Sequence, residues 1–166
     1  MTGEDEAANA ASPQSAVDRL AVLGLTLPPV VTPLAAYVPA VRSGNTVYTA
    51  GQLPMADGTL LSAGKVGAEV GAAEAAVLAR TCALNALAAA ASVAGGVAAI
   101  SRVVKLTGFV ASAPGFAGQP QVVNGASELL LEIFGEAGRH ARSAVGVAEL
   151  PLNAPVEIEL IVEVRD

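Results

Sequence analysis

The sequence predicts an α+β fold, a mixed sheet with two helices packed on one face, and three observations predict it. At the C-terminal end Val156, Ile158, Leu160, Val162 and Val164 alternate with Glu157, Glu159, Ile161 and Glu163, the period of a strand with unlike faces. Two runs with helical spacing, 68–91 and the stretch from Val122 to Phe134, are each followed by paired or nearby glycines. Between them Ile100 to Ala111 reads as a strand apolar on both sides. The element order ββ, α, β, α, ββ then suits a layered sheet whose second face needs cover from another subunit.

Taken in order, residues 1–14 open acidic and read as a disordered tail. Residues 15–33 hold a short helix from Ser15 to Leu23, stopped by Gly24, and a Pro-rich linker; residues 34–166 form the domain. A hairpin is expected from Ala36–Val41 and Thr46–Ala50 around the turn tetrad Arg42-Ser43-Gly44-Asn45. Gly51-Gln52-Leu53-Pro54 leaves it, and Met55 to Gly67 is a loop carrying Asp57-Gly58. The first long helix spans Ala68 to Ala91, with Val70, Ala73, Val77, Leu84 and Ala91 marking its inward face. Ser112-Ala113-Pro114-Gly115 ends the strand that follows. The second helix turns Val122, Ala126, Leu129 and Ile133 inward, with Leu130 and Phe134 beside them and Gly135 and Gly138 closing it. Two strands finish the chain, joined at Leu150-Pro151-Leu152-Asn153-Ala154-Pro155.

Composition narrows the function. Hydrophobic residues make up 53% and charged ones 14% of 166 residues, enough for a core and lean for an uncovered surface. The net charge of −6, nine Lys plus Arg, two Tyr, three Phe and no Trp argue against nucleic acid, which is held by cations and stacking rings. Cys82, the single cysteine, reads as a buried small hydrophobe, and the single histidine, His140, leaves no cluster for a metal. The acidic opening lacks the basic-then-apolar order of a signal peptide, so a cytoplasmic protein is expected. The uncharged run from Thr81 to Ile100 is mostly Ala and is broken by Gly95-Gly96, a buried helix and turn rather than a membrane span.

Arg142 and Glu157 are the candidate chemical pair. They lie fifteen residues apart on the last two strands and are able to face one cleft, where a guanidinium grips a carboxylate by two parallel hydrogen bonds and a carboxylate moves a proton. The plainer alternative is a structural ion pair. His140 is either a second polar contact for a ligand or a turn residue before a strand, and the turn reading is preferred. With Arg139 and Arg142 it makes one basic spot on an acidic chain.

The segments Tyr37-Val38, Gly44-Asn45, Ala50-Gly51-Gln52-Leu53-Pro54, Val104-Lys105-Leu106-Thr107-Gly108-Phe109-Val110, Val123-Asn124, Ala141-Arg142-Ser143, Leu150-Pro151 and Val156-Glu157-Ile158-Glu159, in this order and spacing, resemble the YjgF/RidA family, also called endoribonuclease L-PSP-like. The resemblance runs from about Leu34 to Val164. It implies a chorismate-mutase-like fold and a homotrimer with clefts between subunits. It also implies hydrolysis of reactive 2-enamino and 2-imino acids to 2-keto acids and ammonia, without cofactor or metal. On that reading Arg142 binds the carboxylate, Glu157 positions water, and Tyr37, Gly51 and Asn124 line the cleft. The chain departs from the family pattern at Ala50, where a Ser is common, and at His140, Ala144 and Gly146; with its N-terminal extension it looks like a divergent branch. The missing hydroxyl at Ala50 keeps a second function open, a non-catalytic carboxylate-binding or chaperone-like module. Ribonuclease activity, suggested by the family's older name, is opposed by the charge.

Overall fold

The computed structural model describes residues 15–30, 33 and 35–165; the expected tail 1–14 lies outside them. A first helix, α1 (Ala16–Val22), is capped reciprocally by Ser15 and Asp18 and packs on the helix α3 (Gln119–Phe134), sending Leu20 into the core. The hairpin follows as β1 (Ala40–Ser43) and β2 (Thr46–Thr49). Its first strand begins four residues later than the sequence suggested. Val38 precedes Pro39, whose ring restricts it, and the Pro39 carbonyl instead accepts from Ala50 N at 2.8 Å. Tyr37 therefore lies in a bend before the strand.

The expected loop 55–67 contains a small hairpin, β3 (Met55–Ala56) and β4 (Thr59–Leu60), turned at Asp57-Gly58 with φ of 50° and 75°. The long helix α2 runs Ala72–Ala94, displaced from 68–91, because residues 65–70 close a turn of their own and Gly95 ends the helix at φ 90°. Its inward face also differs from expectation. Val77 is 66% exposed, and the buried row is Ala75, Leu78, Ala79, Cys82, Ala83, Ala86, Leu87 and Ala90. In a helix this rich in Ala the hydrophobic stripe is too faint to fix a rotation. By length and hydropathy α2 is long and apolar enough to cross a membrane; here its buried row is spent on α3 and the sheet.

Strand β5 (Ile100–Ala111) matches its expected limits, although it is not apolar both ways: Lys105, Thr107 and Phe109 alternate with buried Leu106, Gly108 and Val110. After α3 come β6 (Ala141–Val147) and β7 (Val156–Val164). The sheet order is β1-β2-β7-β5-β6, with β6 parallel to β5 and the other pairings antiparallel. The two final strands are thus not neighbours. The β5–α3–β6 crossover places β6 on the outside edge, and β7 returns between β5 and β2. All three helices join one layer through contacts with one another or with the sheet.

Candidate functional site

Arg142 stands on β6 in register with Leu106. Paired residues on adjacent strands share a face, and Leu106 is fully buried under the helices. Arg142 accordingly reaches toward α3, where its Nη1 donates to Asn124 Oδ1 at 2.7 Å and to Ser127 Oγ at 3.3 Å. Asn124 and Ser127 meet it together because residues three apart share a helix face.

His140 completes the cluster. Its Nδ1 lies 2.6 Å from the Gly138 carbonyl and its Nε2 2.9 Å from Ser127 Oγ. A carbonyl only accepts, so Nδ1 carries the proton; in the neutral ring Nε2 accepts from the Ser127 hydroxyl, whose lone pairs face Arg142. Ser127, Leu131, Arg139, His140 and Arg142 line an open cleft of about 280 Å³. Among the described residues no carboxylate pairs with Arg142, and its Nε and Nη2 have no hydrogen-bond partner.

Glu157 belongs to a different surface. It is in register with Phe109, three residues beyond Leu106 on β5, and an odd offset in a strand means the opposite face. Gly51 lies against it: a side chain at 51 would overlap the Glu157 carboxylate. Gly51 is held there because Gln52 exchanges backbone bonds of 2.8 and 3.0 Å with Ile158, while Asn85 Nδ2 of α2 donates to the Leu53 and Met55 carbonyls, both at 3.0 Å. Burial, and then the Glu159 charge, push the half-buried Glu157 carboxyl above the usual carboxylate range.

That shift has a measurable sign. The folded chain keeps the Glu157 proton to higher pH than the unfolded chain, so stability from this group is greatest in acid and falls as pH rises through the raised value. Glu157→Gln is expected to melt above wild type near neutrality, and the gain is expected to vanish below the ordinary Glu pKa of about 4.3. Thermal melts of both proteins across that window check it.

Of the five residues picked from the sequence, the structure joins Arg142 to Asn124 and Gly51 to Glu157, and it puts the sheet between the two pairs. The expectation that Arg142 and Glu157 face one cleft fails within a single chain, because β5 separates their strands and their register positions have opposite parity. The ion-pair alternative fails with it: neither residue has a salt-bridge partner among those described. Tyr37 is 58% exposed. Sequence reading missed Ser127, which was legible as the residue three beyond Asn124, and Asn85, the lone amide in an Ala-rich helix. It preferred the turn reading of His140, which sits before β6 but also bonds the Arg142 cluster. Cys82 is fully buried 3.6 Å from the Val156 carbonyl, with burial and then the Glu157 charge pushing its thiol well up, so it stays protonated.

Residues 17–164 match the model of the family described as "YjgF/chorismate mutase-like, putative endoribonuclease". The chain is 43% identical over 145 residues to protein TCP17 of Trypanosoma cruzi, covering 87% of this chain and 91% of that one. Among solved structures it is similar to Atu1372 of Agrobacterium tumefaciens, a protein of unknown function, with 51% identity, a TM-score of 0.81 and coverage of 89% and 91%. It is also similar to E. coli TdcF with bound serine, at 25% identity, TM-score 0.60 and coverage of 82% and 94%.

Proposed function

Because the chain belongs to the YjgF/chorismate-mutase-like family, we propose that it hydrolyses reactive 2-enamino and 2-imino acids to 2-keto acids and ammonia, at a site completed between copies in a homotrimer. One observation carries this reading: each chain holds two half-sites on opposite faces of its sheet, an arginine edge and a half-buried carboxylate, neither with an ion-pair partner among the described residues. In the proposed trimer the Arg142 edge of one copy meets the Glu157 face of the next, which joins the halves. TdcF, with a bound amino acid, supports a small carboxylate ligand.

In this mechanism the Nε–Nη2 edge of Arg142 takes the substrate carboxylate in two parallel bonds and fixes the planar imine beside Glu157 of a second copy. Glu157, whose raised basicity suits the task, accepts a proton as water adds to the carbon of the protonated imine, giving a carbinolamine. The carboxyl then returns that proton to nitrogen. The C–N bond breaks as the hydroxyl proton passes to the Glu157 carboxylate, and ammonia leaves the keto acid behind. An enamine enters by taking a proton at carbon first. The substrate is already electrophilic, so positioning supplies most of the acceleration.

Arg142→Ala and Glu157→Gln proteins test both parts at once. Imines are generated in place by an amino-acid oxidase, and keto-acid release is timed against buffer. Each variant alone is expected to be inactive, and equal mixing by joint refolding is expected to restore about a quarter of wild-type turnover, since half the arginine halves meet half the glutamate halves. No recovery means that one chain supplies both groups. If wild type binds a keto acid yet is no faster than buffer, the chain is a carboxylate-binding module.

A further inference from the structure

We propose that Ser127 and His140 are a positioning pair that sets the guanidinium plane of Arg142, and so its affinity for carboxylates. The inference rests on the reading of Arg142 as the carboxylate-binding group. The two hydrogens on Nη1 lie in the guanidinium plane and point to two acceptors, Asn124 Oδ1 at 2.7 Å and Ser127 Oγ at 3.3 Å. One acceptor leaves the group free to swing about a single bond; two acceptors fix the plane. Asn124 is exposed on its helix, so its hold alone is loose.

A serine hydroxyl rotates, and its lone pairs face Arg142 only when its own proton is committed elsewhere. His140 Nε2, at 2.9 Å, commits it. The ring in turn is held in one tautomer by the Gly138 carbonyl at 2.6 Å. Gly138 is buried, with no room for a side chain against the Leu130 carbonyl, so that anchor is rigid. The chain from Gly138 through His140 and Ser127 to Arg142 thus leaves the Nε–Nη2 edge fixed before any ligand arrives. Preset geometry lowers the ordering cost of binding.

The test uses the full-length protein and pyruvate as probe. Ser127→Ala and His140→Leu are each expected to weaken pyruvate binding by about tenfold, the worth of a hydrogen bond to a charged group. The double variant is expected to be no weaker than Ser127→Ala, because His140 acts only through Ser127. His140→Gln, which keeps an acceptor near the Nε2 position, is expected to stay within about twofold of wild type. The same losses are expected in KM, with kcat nearly unchanged. Losses that multiply in the double variant, or wild-type affinity in either single one, overturn the proposal.

A second measurement needs no ligand. Nitrogen NMR is expected to show His140 protonated at Nδ1, and restricted Arg142 Nη rotation that is released equally by Ser127→Ala and His140→Leu. If wild type does not bind pyruvate but this release is seen, the ligand reading of Arg142 falls and the positioning role stands. Rotation indifferent to both substitutions refutes the positioning role, whatever pyruvate does.

Discussion

Arg142→Ala is expected to reduce the affinity for 2-keto acids at least a hundredfold while leaving the fold intact. The size follows from removing a charged, two-pronged partner from a carboxylate, which costs about 3 kcal/mol or more. The fold survives because Arg142 is only half-buried, and its partners Asn124 and Ser127 keep access to water or to each other's surroundings. Arg142→Lys is expected to bind poorly as well, since an ammonium cannot both occupy Asn124 and Ser127 and present a flat edge to a ligand. Calorimetric titration with pyruvate, paired with a thermal melt, checks both halves. Wild-type affinity in Arg142→Ala would show that the arginine is structural.

Gly125→Ala is expected to be the most damaging single-methyl change to stability. Gly125 sits in α3 where α2 crosses, and a Cβ there would overlap the Ala76 carbonyl group, which is backbone and has no rotamer to yield. Alanine improves helix propensity by about 1 kcal/mol, but overpacking against backbone costs about 3, so the net loss is about 2 kcal/mol. For a chain of this length that lowers the melting temperature by roughly 4–8 °C. A neutral or stabilising result in urea unfolding would mean that the helices part without cost.

Strand β7 and the buried row of α3 were readable because their patterns are strong: each has a face chosen by several large side chains in a fixed period, whereas β5 was readable in its limits but not in its faces. The rotation of α2 was not readable, since alanines on every side leave no contrast for a period to act on. Nor was the strand order. The parity that separates Arg142 from Glu157 depends on β5 lying between β6 and β7, and nothing within residues 140–164 carries that information. The same nonlocal placement concealed Ser127, whose role comes from a histidine thirteen residues away, and Asn85, whose carbonyl partners lie some thirty residues earlier. The late start of β1 was local and legible in Pro39.

The burial of Cys82 turns the seam between α2 and β7 into something that can be timed. A reagent cannot reach a thiol with no exposed surface, so modification must wait for the helix to lift from the sheet. With one cysteine in the chain, every labelled molecule records that same opening. Where reclosing outpaces the reagent, the labelling rate reports the equilibrium of the opening; where it does not, the rate is the opening itself. The core residue that takes no part in the chemistry is therefore a clock for the molecule's own fluctuations, running at the place where its longest helix meets the middle of its sheet.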